Sequence, residues 1–288
     1  MAALDSGHYP PNSLEAIRAC LEAAAPLIEI DATALASSDY LLVHDSVLQN
    51  ETTGDGEVSA ASPEQAKTLY LRHRGEPIPY HPALLSEVVA MFLQYGGQSR
   101  LQIDFKNVYP MPHEEPLRRL IALIEPLGSR VQVSTGADWH LRAMHRLAPW
   151  LDLGFDIGFY IDYRTQPADP RKPPFREGAY HYHDDHLLAL QKLVPVQQYL
   201  TERCEILYRL VPEVSTWYVN YHLIAQCLQD GFTMASWLHD KGIKLGAWTL
   251  DADNASIHAQ IASLKAAGVD QFTTNTPIAL TQILKDSE

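Results

Sequence analysis

Leu27-Ile28-Glu29-Ile30-Asp31 is the stretch on which the reading of this chain turns. Its apolar residues predict a buried strand over 27–33, and its two acids, two residues apart, fall on one side of it. Leu101-Gln102-Ile103-Asp104-Phe105-Lys106 repeats the arrangement, with Asp104 and Lys106 on one side of a second short strand. A strand that ends in paired polar residues is a place to hold a ligand.

Outward from these strands, helical and extended stretches alternate. Pro10-Pro11-Asn12-Ser13 opens a helix that Asn12 or Ser13 can cap and Pro26 stops. An extended piece at 40–44 leads into a loop over 45–62, and Ser62-Pro63-Glu64 starts another helix. Helices are predicted at 82–95, 116–124, 139–147, 187–199, 233–241, 254–267 and 277–284. Strands are predicted at 131–134, 214–220, 243–250 and 271–274, and a strand with loop over 151–161. Seven or so strands, each followed by a helix, predict a (β/α)8 TIM barrel, and a doubly wound sheet fits the order nearly as well. The polar residues favour the barrel: Glu29, Asp31, Asp104, Lys106, Ser134, Asn220, Thr274 and Asn275 fall at or near strand C-terminal ends, which converge in that fold. One domain over 1–288 is expected, with a long excursion at about 160–210.

The chain has 288 residues, 46% of them hydrophobic, and can bury a large core. Thirty-five acids against 22 Lys and Arg give a formal charge of −13, which repels nucleic acid and anionic membranes at long range. Three widely spaced cysteines, Cys20, Cys204 and Cys227, fit free buried thiols in a reducing compartment. No leader and no apolar run of membrane-spanning length is present, so a cytoplasmic protein without a membrane span is expected.

Several residues can carry chemistry. Glu29 and Asp31 repel one another unless a cation or proton lies between them, and Asp104 can supply a third oxygen. Hard oxygen donors without cysteine suit magnesium or calcium; the alternative is that Glu29 and Asp31 are ordinary solvated strand-end acids. His44, followed by Asp45, can transfer a proton or play a structural part. Lys106 can contact phosphate or pair with an acid. His181, His183 and His186, with Asp184 and Asp185, read as solvated loop residues rather than as a metal site. Gly54 and Gly56 do not form a phosphate loop, since no Gly-Lys-Ser/Thr follows. Trp248 either lines the site or packs in the core.

In order along the chain, these stretches resemble the glycerophosphodiester phosphodiesterase family. Pro10-Pro11-Asn12-Ser13-Leu14 resembles its Pro-Glu-Asn-Thr helix start, and Leu27-Ile28-Glu29-Ile30-Asp31 its Glu-x-Asp strand. Leu42-Val43-His44-Asp45-Ser46-Val47-Leu48 with Thr52-Thr53-Gly54-Asp55-Gly56 is the nearest likeness. Ile103-Asp104-Phe105-Lys106 resembles Ile-Glu-x-Lys with Asp for Glu, and Gly246-Ala247-Trp248-Thr249 and 268–277 resemble the last two strands. The resemblance implies a TIM barrel, one divalent cation (Mg2+ or Ca2+), and hydrolysis of glycerophosphodiesters to glycerol 3-phosphate and an alcohol. It also implies Glu29, Asp31 and Asp104 at the ion, His44 at a proton and Lys106 at the substrate phosphate. A barrel that binds a phosphorylated small molecule without turnover is one alternative, and a phosphodiesterase acting on lysophospholipids is another.

The chain departs from the family pattern at its start. The family's His-Arg-Gly precedes the Pro-Glu-Asn-Thr stretch, whereas residues 1–8 here are Met-Ala-Ala-Leu-Asp-Ser-Gly-His. A degenerate or missing first strand is therefore expected. The consequences open at this stage are catalysis by His8 from a shifted loop, a chain that begins downstream of that strand, or a barrel with impaired chemistry. His73-Arg74-Gly75 occurs too late in the order and reads as a solvated loop.

Overall fold

A computed structural model describes residues 9–109, 113–163, 179–184, 194–252 and 255–286. The expected first strand and His8 fall on residues 1–8, and His186 on the excursion; all lie outside the described residues. The chain forms two compact units, one of residues 1–135 and 142–152 and one of 136–141 and 153–288.

The first unit begins with helix α1 (Leu14–Glu22). Ser13, rather than Asn12, is its cap, accepting a hydrogen bond from the Ala16 amide. Strand β1 (Leu27–Ala34) follows, then the short β2 (Tyr40–Leu41), which pairs with it antiparallel. Helix α2 (Pro63–Ala66) carries the predicted start, with Ser62 and Gln65 forming a reciprocal capping box. His73-Arg74-Gly75 lies in a β-hairpin, β3 (Arg72–His73) and β4 (Glu76–Pro77). Arg74 and Gly75 both have positive φ, as a tight two-residue turn requires. Helix α3 (Leu85–Tyr95), strand β5 (Arg100–Phe105), helix α4 (Glu115–Ile124) and strand β6 (Val131–Thr135) complete the series. The sheet order is β2-β1-β5-β6, and β1, β5 and β6 run parallel.

Helix α5 (Asp138–Leu147) and strand β7 (Asp152–Asp156) cross the boundary between the units. The second unit then holds α6 (Val196–Leu210), β8 (Thr216–Asn220), α7 (Tyr221–Gln229), α8 (Met234–His239), β9 (Lys244–Trp248), α9 (Ala255–Ala266), β10 (Gln271–Phe272) and α10 (Pro277–Asp286). Its strands are parallel in the order β7-β8-β9-β10. In both units the parallel strands follow chain order without the reversal of a doubly wound sheet, and only the short antiparallel β2 lies outside that order, at the edge beside β1. The fold class is the (β/α)8 TIM barrel.

Of the helix read at 187–199, residues 187–193 lie outside the described residues; the described part is helical from Val196 to Leu210, and Pro195, with extended backbone (φ −54°, ψ 141°), takes the cap position. Asp184, read as solvated, is buried: Arg203 Nε donates to its Oδ2 at 3.0 Å and the Tyr199 hydroxyl at 2.5 Å. His181 is part-buried with Nε2 3.1 Å from the Val194 carbonyl, whereas His183 is exposed. All three cysteines are buried and none is in a disulfide, and burial pushes the Cys204 thiol up to about 12. Among the described residues no helix is long and apolar enough to cross a membrane.

Candidate metal and catalytic site

The site in the first unit is built by register. Parallel pairing sets Glu29 beside Gln102 and Gln102 beside Gln132. Two residues further on, Asp31 lies beside Asp104 and Asp104 beside Ser134. Paired residues share a face, so two polar rows run across β1, β5 and β6. Ile30, Ile103 and Val133, between the rows, are fully buried and point the other way. Gln102 Nε2 donates to Ser134 Oγ at 3.1 Å and ties one row to the next.

The carboxylates of Glu29, Asp31 and Asp104 converge, each offering an oxygen within 4.8 Å of the others. Three hard anionic oxygens at this spacing, with no sulfur among them, fit a divalent oxygen-seeking cation. Lys106 continues β5 by donating its amide to the Ala32 carbonyl. Its ammonium lies 2.8 Å from Asp31 Oδ1 and 2.5 Å from Asp104 Oδ2. Burial is the largest single influence on the Asp31 carboxyl and pushes it up, but the opposing influences, the Lys106 charge first among them and with it the field of His44 and the Lys106 hydrogen bond, together outweigh it and hold the group down at about 2. Burial likewise opposes the Lys106 charge, and Asp104 and then Asp31 overcome that, raising its pKa.

Asn12 is a site residue that sequence reasoning passed over. Its Nδ2 donates to Asp31 Oδ2 at 2.9 Å, and its Oδ1 accepts from the Asp31 amide at 3.3 Å. It is 2% exposed and has φ 62°, a region that asparagine tolerates better than most residues. The extended period of β1 carries no trace of a bond to a residue 19 positions earlier.

His44 stands beyond β2, whose extension is fixed by the Thr33 hydroxyl bonding the Val43 carbonyl at 3.0 Å. Leu42 and Val43 are buried, while the His44 ring is half exposed. Its Nδ1 lies 2.9 Å from Asp45 Oδ1. Asn50 donates to Asp45 Oδ2 at 2.6 Å, and Glu51 Oε1 accepts from the Asp45 amide at 2.7 Å. Burial raises the Glu51 pKa.

The Thr-Thr-Gly-Asp-Gly stretch supports this loop. Thr52 Oγ1 donates to the Leu48 carbonyl, Thr53 Oγ1 accepts from the Tyr70 amide, and a Cβ at Gly54 would meet Leu69 at 2.8 Å. Leu41, Val43, Leu48, Val58 and Leu84 pack beneath.

In the second unit, Trp248 ends β9 in register with Asn220. The ring is part-buried, and its indole Nε1 has no hydrogen-bond partner among the described residues. Asn220 caps α7, accepting from the His222 amide at 2.9 Å.

Known proteins match this chain over its length. A curated relative, the glycerophosphodiester phosphodiesterase of Caldanaerobacter subterraneus subsp. tengcongensis, is 23% identical over 293 residues, covering 98% of this chain and 95% of the relative. The solved glycerophosphodiester phosphodiesterase of Parabacteroides distasonis has a TM-score of 0.63 at 16% identity, covering 99% of this chain and 96% of that one. An Oleispira antarctica phosphodiesterase, solved with the product sn-glycerol-3-phosphate, has a TM-score of 0.61 at 17% identity, covering 98% and 94%. These structural likenesses carry the fold. The profile of the Glycerophosphoryl diester phosphodiesterase family matches residues 5–279. The chain belongs to the Glycerophosphoryl diester phosphodiesterase family, a family of phosphodiester hydrolases.

Proposed function

We propose that this protein hydrolyses a small glycerophosphodiester to glycerol 3-phosphate and an alcohol, with one magnesium or calcium ion held by Glu29, Asp31 and Asp104. The observation that carries the reading is the convergence of those three carboxylates on one face of β1 and β5, with Lys106 among them, in a chain of this family. The Oleispira relative, solved with sn-glycerol-3-phosphate, supports the product assignment.

The bound ion would supply Lewis-acid charge to the phosphoryl oxygens. Lys106 adds a fixed ammonium for the same developing charge. In the overall reaction a water oxygen bonds to phosphorus, the phosphorus–oxygen bond to the alcohol breaks, and the departing oxygen takes a proton. His44 is the residue we assign to that proton. With Nδ1–H directed at Asp45, the imidazole keeps Nε2 for exchange with the substrate.

The test is release of glycerol 3-phosphate from glycerophosphocholine and glycerophosphoethanolamine, with chelator and with each cation. Cation-dependent release that falls at least about 100-fold in H44A supports the proposal. Substrate binding without release, in either cation, would overturn it.

A further inference from the structure

We infer that Asn12 is a positioning residue for the ion site, a two-point clamp that fixes the carboxylate plane of Asp31. The inference rests on the reading of Glu29, Asp31 and Asp104 as cation ligands.

An aspartate carboxylate can rotate about its terminal bond, and a ligand that rotates must lose that freedom when it coordinates; Lys106 holds Asp31 at Oδ1 only, a single point that does not fix the plane. Asn12 removes the freedom in advance. Its amide nitrogen holds Asp31 Oδ2 at 2.9 Å while its amide oxygen takes the Asp31 backbone amide at 3.3 Å. Both ends of one planar group thus grip both ends of one residue. The clamp occupies one lone-pair direction of Oδ2 and leaves the carboxylate its other directions.

The segment around Asn12 is itself held. Ser13 turns back on Pro10, its hydroxyl donating to the Pro10 carbonyl at 2.7 Å, and then caps α1. Pro10 and Pro11 restrict the approach. The resulting left-handed backbone at residue 12 (φ 62°) narrows the choice of residue to glycine, asparagine and a few others. Of these, glycine can adopt the turn but cannot reach Asp31. The requirement for a side chain separates a clamp from a mere turn, and it gives the Pro-Pro-Asn-Ser stretch a task at the site.

The experiment is calorimetric titration of Mg2+ and Ca2+ into chelator-treated full-length protein, its N12G variant and the E29A/D31A variant, with thermal melts of each in chelator. Asn12→Gly keeps the backbone conformation and removes only the clamp. The expected result is a native-like melt in chelator with ion affinity weakened roughly ten- to a hundredfold. N12G that binds the ion as tightly as the unaltered protein overturns the clamp alone. An unaltered protein that binds no better than E29A/D31A overturns the ion site and the clamp with it. Should N12G fail to fold, the side-chain amide resonance of Asn12 in the unaltered protein provides the readout. It is expected to shift saturably with the ion's own Kd, and a resonance that does not move overturns the inference.

Discussion

Lys106 Nζ and Asp31 Oδ1 stand 2.8 Å apart, across two adjacent parallel strands, with the aspartate side chain 3% exposed and the lysine 19%. The same ammonium reaches Asp104. Lys106 is therefore part of the electrostatic support of the carboxylate cluster before any substrate is considered.

Replacing Lys106 by Met should destabilise the chelated protein by about 3 kcal/mol, because two partly buried acids lose their counter-charge. Added Mg2+ should restore part of that loss by binding only the folded state. Thermal melts of K106M with chelator and with millimolar Mg2+ check both statements. Equal melts in the two conditions would show that the acids do not take up the ion.

The Asp31 pKa, lowered to about 2, makes stability depend on pH at the acid end. A carboxyl that is more acidic when folded contributes stability above its unfolded value of about 3.9, and that contribution disappears as pH falls toward 2. Denaturant unfolding of the chelated protein should show a loss of order 2 kcal/mol from this group between about pH 5 and pH 2. D31N should lack this component, and an unchanged pH profile in D31N would contradict the assignment.

Asp45→Asn should lower turnover roughly tenfold, about 1.4 kcal/mol in transition-state terms, with little change in KM. The substitution disturbs the Nδ1 partner of His44 while keeping its shape. Steady-state kinetics on the substrate that passes the release assay test this. A rise in KM at constant kcat would place Asp45 in substrate binding instead.

In the second unit, Asp184→Leu should cost about 3–5 kcal/mol, since it leaves the Arg203 guanidinium buried with its partner gone. Arg203→Met in the same background should recover a substantial part. Urea unfolding of the single and double variants measures the coupling, and strictly additive losses would refute it.

Much of this architecture is legible in the sequence. Leu27 to Thr33, Leu101 to Lys106 and Val131 to Ser134 all read as strands, the first of them as buried, and the acids of the first two mark the candidate site. What was hidden has identifiable causes. Helix α7 begins at Tyr221 directly after Asn220 ends β8, so no turn residue punctuates the change. Pro195 sits inside an apolar period but takes its cap. Asn12 and Glu51 act through bonds to distant residues or to backbone amides, which follow no period. Asp104 and Lys106 could be placed on one side of a strand from spacing, but their ion pair depends on rotamers that spacing does not encode.

The alternation of polar rows with Ile30, Ile103 and Val133 makes core and site two readings of a single alignment. Sliding β1 or β5 by one residue would turn the isoleucines toward the carboxylates' side and drive Asp31 or Asp104 into the packed layer. A misaligned chain would then fail to bury its core at the same moment that it failed to assemble its ligands. Hydrophobic packing thus acts as a proofreader for the chemistry: a molecule that passes the test of folding has already lined up the carboxylates.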